Sequence, residues 1–425
     1  MKTKDYFKDK KITVMGLGIL GRGVGDVEFL AQNGASLVVT DLKSRKELKV
    51  SLDRLKKFKN IKYVLGKHRL EDFRNRDMIL KSAGVPLDSI YIKEAKKNKI
   101  QVEMSAALVA KLSPAKVIGI TGTRGKSTVT QMIYEILKAS KKKVFLGGNV
   151  RGIATLPLLK KAKKDDFIVM ELDSWQLQGF GESKISPNIA VFTNLMRDHM
   201  NYYKGSMSKY FQDKANIYKY QKAGDYLISG KEIAKKIKNK KIIPKSLSKS
   251  WELKITGEHN RENASLAREA AKVAGVSDKI IKKVLENFKS VEGRLEYMKT
   301  VRGVKIYNDN NATTPDATIR ALEALGSKKK NIVLIMGGAD KKLDMKPLLK
   351  ETEKYCKSVI LLTGSGTDKL KGLKVNNLKD AVKLAIKDAE RGDTILFSPA
   401  FASFGMFKNE YDRNDQFIDI IKKLK

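Results

Sequence analysis

Cysteine is almost missing from this chain: of 425 residues only Cys356 carries a thiol, which excludes an intrachain disulfide framework and points to a reducing compartment, the cytosol. Histidine is nearly as scarce, at three residues, and no clustered Cys/His spacing is present, so structural zinc is excluded as well. Long apolar runs are missing too. No window approaches the roughly 18 apolar residues of a transmembrane helix. The apolar stretch after the basic start is short, broken by glycines and followed by Arg22 and Asp26, unlike a signal peptide. Acidic residues are few, 47 against 86 lysines and arginines, leaving a formal charge of +39. Such an excess suggests a nucleic-acid partner. Lysine dominates it, however, in short runs such as 141–143, 240–241 and 328–330, and no arginine–aromatic platform, helix-turn-helix or zinc finger accompanies them. Two nucleotide substrates would bring only roughly seven or eight negative charges. A solvated lysine-rich surface is the expectation, with no nucleic acid required and no membrane.

What is present is an α/β pattern. The 42% hydrophobic content suits a globular protein, and the length suits two or three domains. Short β-branched runs alternate with helical periods, as in parallel sheets. ITVMG, SLVVTD, IKYVL, DMILKS and QVEMS, with helices expected over Val24–Gln32 and near Arg45–Phe58, fill residues 1–112 as a Rossmann-like domain. After Ser113 and Pro114, the runs VIGIT, KVFLGG, FIVMEL and NIAVFTN form a central phosphate-loop domain over 113–289. VKIYND, NIVLIMGG, SVILLTG and DTILFSP, with the helical stretch DATIRALEAL, form a second Rossmann-like domain over 290–425. Ligands gather where such strands end.

Two strand ends carry nucleotide signatures. Gly16-Leu17-Gly18-Ile19-Leu20-Gly21 fits the G-x-G-x-x-G fingerprint, whose glycines allow a tight turn and close approach to a pyrophosphate. An NAD-dependent dehydrogenase would use this loop, with Asp41 after SLVVT on the ribose. Gly122-Thr123-Arg124-Gly125-Lys126-Ser127-Thr128 follows a strand and opens an amphipathic run. Backbone amides of such a loop surround phosphate oxygens, the lysine neutralises charge and the serine hydroxyl ligates Mg²⁺. The strict pattern needs glycine where this chain has Ile120. Downstream, Glu171 ends FIVMEL, where a carboxylate can hold magnesium against phosphates, and Asn194, Asp198 and His199 end NIAVFTNLMRDH. A nucleic-acid-stimulated ATPase would also use this loop.

TGTRGKST, GGN at 147–149, ELDSWQL, TN…RDHM, KANIY and GEHNRENA occur in the same order as motifs of the Mur ligases, and the chain resembles that family over nearly its whole length. The resemblance implies an ATP-dependent carboxylate–amine ligase of cytoplasmic peptidoglycan precursor synthesis, working through an acyl phosphate. It implies that residues 122–128 hold ATP phosphates, and that Ser127, Glu171, His199 and Lys214 organise two Mg²⁺ ions, Lys214 as a carbamylated lysine. Asn260 and Asn263 are assigned to the adenine side, Arg294 and Asp309 to further ATP contacts, and Lys341 to a place near the reacting groups. Asn149, Ser174, Thr313 and Ser403 are implied to touch substrate, as are Gly18, Ile19, Leu20 and Asp41 of the first domain, which would hold a UDP handle. Domain closure would complete the site, in a protein working as a monomer.

Within the family the pattern is closest to the D-glutamate-adding branch, which implies UDP-N-acetylmuramoyl-L-alanine as acceptor; addition of L-glutamate or L-alanine is the alternative. Several positions depart from that branch: in the run Asp309–Thr313 the usual serine and lysine are Asn310 and Asn311, the lysine being the one expected to meet the amino acid's side chain, and Phe401 stands for a cysteine and Gly405 for an aspartate. Folylpolyglutamate synthetases resemble a two-domain chain with the phosphate loop close to the start. The meso-diaminopimelate-adding ligases carry an Asp-Asn-Pro-Arg run that is absent here.

Overall fold

The computed structural model describes residues 3–19, 21–327, 329–368, 370 and 372–424. Its strands fall into three sheets. The first is built from β1 (Lys11–Met15), β2 (Ser36–Asp41), β3 (Ile61–Leu65), β4 (Met78–Lys81) and β5 (Gln101–Glu103), in the order β3-β2-β1-β4-β5. The second holds β6 (Lys116–Thr121), β7 (Val144–Gly148), β8 (Phe167–Glu171), β9 (Ile189–Phe192) and β10 (Tyr226–Ser229), ordered β10-β9-β6-β8-β7. All pairings in both are parallel. Strands buried on both faces should read as continuous apolar runs, and β8 and β9 do, with every residue buried.

The third sheet is mixed. β11 (Glu296–Val301) pairs antiparallel with β12 (Val304–Asn308), through a turn in which Arg302 and Gly303 both take positive φ, 51° and 81°. β13 (Ile332–Gly337), β14 (Cys356–Leu362), β15 (Leu373–Val375) and β16 (Thr394–Phe397) complete the order β11-β12-β16-β13-β14-β15.

The three-sheet α/β architecture matches the sequence pattern, with local differences. β10, β11 and β15 were not expected; β10 and β15 span only four and three residues. The helix expected near Arg45–Phe58 is confined to Lys49–Leu55, because Ser44 and Glu47 tie the segment before it into a turn.

By their contacts the residues form two compact units. One runs to Ser246 and resumes over Asn263–Val284; the other comprises Leu247–Glu262 and the chain from Leu285. The first and second sheets share one apolar core, from Phe7, Val27 and Leu30 through Leu108 to Val117, Ile168 and Phe180. In the second unit, the two faces of the third sheet carry separate clusters, around Ile306, Val333 and Phe417 and around Leu322, Leu334 and Leu396.

Candidate active site

At the first switch of strand order, between β1 and β4, the glycine loop begins. Gly16 has φ +94°, and a Cβ there would stand 2.4 Å from the Ser82 hydroxyl, so only glycine fits. Asp41, ending β2 and buried, accepts from the amides of Leu17 at 2.9 Å and Gly18 at 3.0 Å through Oδ2, and from Lys43 N at 2.9 Å through Oδ1. The acid that a dinucleotide fold would keep for a ribose is thus committed to the loop's own backbone. Ile19 is half exposed; Leu20 lies outside the described residues.

The phosphate loop leaves β6 at the switch between β6 and β9. Gly122 has φ +144°, with Thr193 Oγ1 1.9 Å from where a Cβ would be, and Gly125 has φ +82°, with Asn263 Oδ1 at 2.3 Å. At both positions a side chain would be strained by the backbone angle and would force its neighbour to shift. The loop is held by β9's end: Asn194 Oδ1 accepts from Arg124 N at 2.9 Å, Thr193 Oγ1 donates to Arg124 O at 2.5 Å, and Thr123 N donates to Asn194 O at 3.0 Å. Gly125 caps the helix Lys126–Ala139, whose first turn carries Ser127 and Thr128. Ile120 is buried inside β6.

Lys126 Nζ donates to the carbonyls of Gly122 and Thr123, both at 3.1 Å. Lys214, on the helix Met207–Ala215 and 1% exposed, donates to the same Gly122 carbonyl at 2.8 Å and to Thr121 Oγ1 at 3.4 Å. Burial, and then the charge of Lys126, push its pKa well below the usual lysine value. The two lysines expected to serve catalysis in this half therefore converge on one carbonyl.

Glu171 ends β8 opposite Ile120 of β6 and Gly148 of β7. Its backbone carbonyl accepts from Asn149 N at 2.8 Å. The residue is 6% exposed, and its carboxylate has no hydrogen-bond or ion-pair partner among the described residues. A strand-end carboxylate whose oxygens are uncommitted to protein donors suits a cation. His199 holds φ +55°, its ring lying 4.7 Å from that of Trp175 and 6.3 Å from that of Tyr210. Asp198 joins it to the loop, accepting from His199 N at 2.9 Å and pairing with Arg124 Nη1 at 3.1 Å. Among the described residues no group of three His, Cys, Asp or Glu side chains gathers for a metal; the donors here are one hydroxyl, one carboxylate and one imidazole. Ser174, buried, opens the helix Ser174–Glu182 behind a capping box of Asp173 and Gln176.

The second unit carries its own set. Asp309, after β12, accepts from Leu295 N at 3.0 Å, next to Arg294, and from Ser398 Oγ at 2.9 Å. Lys341 Nζ donates to Thr313 Oγ1 at 3.1 Å, and Ser403 is buried. Asn260 Nδ2 donates to Thr256 O at 2.7 Å. Asn311 Nδ2 donates to Glu292 O at 3.1 Å. Phe401 packs on two glycines: a Cβ at Gly366 would meet its ring at 2.3 Å, and one at Gly338 would lie 3.3 Å from its Cβ. Gly405, at φ +99°, occupies a conformation where aspartate would be strained.

Four residues escaped the sequence reading. Ser82 faces Gly16. Lys81, 2% exposed, donates to Val85 O at 2.8 Å, and burial pushes its pKa down to about 8. Arg413, fully buried, donates to Asn310 Oδ1 at 2.8 Å, to Asn310 O at 2.9 Å and to Phe401 O at 3.2 Å, fixing the two segments around Asp309 and Ser403. Asp26, on the helix that follows the first glycine loop, is buried. A lone charge inside an apolar period was the only signal for Lys81 and Asp26.

Serial parallel sheets with a phosphate loop and a glycine-rich loop define a nucleotide-binding α/β protein. Family descriptions cover the chain in the same order: a Mur ligase MurD-like N-terminal domain over residues 10–103, a Mur ligase middle domain over 120–249 and a Mur ligase glutamate ligase domain over 293–401. The chain is 34% identical to the UDP-N-acetylmuramoylalanine–D-glutamate ligase of Borreliella burgdorferi strain B31, across 99% of both chains, and 33% identical to that of Clostridioides difficile, across 98% of this chain and 99% of the relative. In fold it is similar to the UDP-N-acetylmuramate-alanine ligase MurC of Thermotoga maritima (TM-score 0.62, 19% identity, 98% of this chain and 100% of that). It is similar also to the MurF ligase of the same organism in complex with ADP (TM-score 0.60, 16% identity, 100% and 96%). The chain belongs to the Mur ligase family and is a ligase, which sets aside the dehydrogenase and nucleic-acid-stimulated ATPase readings. Among the described residues no helix is long and apolar enough to cross a membrane.

Proposed function

We propose that the chain adds D-glutamate to UDP-N-acetylmuramoyl-L-alanine at the expense of ATP, as the names of its relatives state for them. The observation that carries the ATP half is the carboxyl edge of the central sheet, where the phosphate loop, two converging lysines and an unpartnered carboxylate meet. In this reading the amides of residues 122–128 and Lys126 hold the ATP phosphates, with Thr123 and Arg124 kept in place by Asn194 and Thr193. Asn263, against Gly125, and Asn260 serve the adenine side, with Arg294 and Asp309 as further ATP contacts. The first glycine loop, Gly18 to Leu20, anchors the uridine nucleotide; Asp41 acts there by shaping the loop. Asn149, Ser174, Thr313 and Ser403 orient the acceptor and the amino acid.

The acceptor's carboxylate oxygen attacks the γ-phosphorus, the bond to the β-phosphate oxygen breaks, and ADP leaves with the electron pair. The amino group of the amino acid then attacks the acyl phosphate carbonyl, loses a proton and expels inorganic phosphate. Lys126 and Lys341 offset the negative charge that develops during transfer, and exclusion of water protects the acyl phosphate. The unpartnered Glu171 carboxylate, with Ser127 and His199, fits Mg²⁺, which when bound would neutralise phosphate charge. Burial holds Lys214 toward its neutral amine, the form that adds CO₂ and releases a proton to become a carbamate; this modified side chain would then be an additional acidic donor for a second ion. The enzyme works as a cytoplasmic monomer.

The test is phosphate release with ATP, magnesium, the UDP acceptor and D-glutamate. Turnover should require all four and vanish in Lys126→Ala. Release that continues without the acceptor would contradict the reading.

A further inference from the structure

The helix Arg22–Gln32 begins where the glycine loop ends, and one face of its first two turns lies on the segment that follows β7. Three residues on i, i+3, i+4 spacing, hence on one side of the helix, make the contact. Arg22 Nη1 donates to Oδ1 of Asn149. Gly25 meets Ala154, where a Cβ would stand 2.4 Å from the alanine's own. Asp26 accepts from Leu156 N at 2.8 Å through Oδ1 and from Ser105 Oγ at 2.5 Å through Oδ2.

Asn149 is thereby held from two sides. Its backbone amide is bound to Glu171 O, and its side-chain oxygen to the guanidinium. A side-chain amide presents an acceptor on one side and two donors on the other. With Oδ1 occupied by Arg22, the free end is Nδ2, which has no protein partner among the described residues. That end can only donate.

We propose that this helix is a strut through which the first glycine loop sets the position and sense of the Asn149 amide, Arg22 being the positioning residue that turns Nδ2 toward an oxygen of the acceptor substrate. The proposal rests on the reading of Asn149 as an acceptor contact. Gly25 permits the close approach and Asp26 anchors the far end of the segment. Arg22 touches no reacting atom; it acts through Asn149.

Steady-state kinetics of Arg22→Ala, Arg22→Lys, Asn149→Ala and the Arg22→Ala/Asn149→Ala double variant test this. Arg22→Ala should raise the KM for UDP-N-acetylmuramoyl-L-alanine roughly tenfold and leave the KM for ATP unchanged. Arg22→Lys should restore most of the loss, and the double variant should be no worse than Asn149→Ala alone. Gly25→Ala should show the same acceptor-specific rise. Effects of Arg22→Ala and Asn149→Ala that multiply, or equal rises in both KM values, would overturn the proposal. If the wild-type protein does not turn over this acceptor, the functional reading fails, and thermal unfolding of the same four variants judges the strut: a non-additive shift supports the Arg22–Asn149 coupling, and an additive one overturns it.

Discussion

Asp26→Asn should stabilise this protein at pH 8. The Asp26 carboxyl is 6% exposed, and burial pushes its pKa up from 3.8 to about 6 despite hydrogen bonds from Ser105 and from the backbone at 155 and 156. Because the folded state holds this proton more tightly than the unfolded chain, stability falls as pH rises from roughly 4 to 6. At about 1.4 kcal/mol per pKa unit, the ionised carboxylate costs about 3 kcal/mol at pH 8. Asparagine removes the charge yet keeps an oxygen for Leu156 N, and the Ser105 hydroxyl can turn to accept from Nδ2. Urea unfolding of both proteins should therefore show the variant more stable at pH 8, by up to about 3 kcal/mol. The advantage should shrink to roughly half at pH 5, where most of the wild-type carboxyl is protonated. A variant that is less stable at pH 8, or a difference that does not change between pH 5 and pH 8, would refute this assignment of the burial cost.

Glu171→Gln, which weakens a cation donor at the strand end, should raise the magnesium concentration needed for half-maximal activity; His199→Ala should share this effect, and an unchanged magnesium dependence would remove the imidazole from the metal site. Lys214→Met should fold but lose turnover, and wild-type protein in ¹³C-bicarbonate should give a carbamate carbon resonance that this variant lacks. Gly125→Ala, forced to hold φ +82° against the Asn263 amide, should lose about 1–2 kcal/mol of stability and show a higher KM for ATP; wild-type-like ATP affinity would mean that the loop relaxes freely.

Much of the fold was legible because both faces of the parallel strands are buried, so β6, β8, β9 and β13 announce themselves as apolar runs. The short strands β10 and β15 escaped because a few residues define no period. The antiparallel β11, with only Val301 buried, lacks the apolar run altogether. The phosphate-loop pattern was readable since its glycines, lysine and serine lie in one continuous stretch, 122–128. Lys214 was not: in a chain with so many lysines, a buried one looks like any other, and only the register of the family motifs singled it out. Asp41 was expected beside the first nucleotide loop as a contact to substrate, but its engagement with the amides of Leu17 and Gly18 depends on how two strands are juxtaposed. Arg22 and Asp26 were invisible for a related reason, because their partners Asn149 and Leu156 lie 127 and 130 residues away. The departure at Phe401 became intelligible through Gly338 and Gly366, which leave room for the ring.

The amino acid remains the sharpest point of the functional claim, because Asn311 replaces the lysine expected to meet its side chain. Phosphate release should be measured with ATP, magnesium and UDP-N-acetylmuramoyl-L-alanine against a panel of D- and L-amino acids. D-glutamate alone should drive turnover at low concentration, with L-glutamate and L-alanine inert. Preferential turnover with L-glutamate, L-alanine or any other member of the panel would contradict the account.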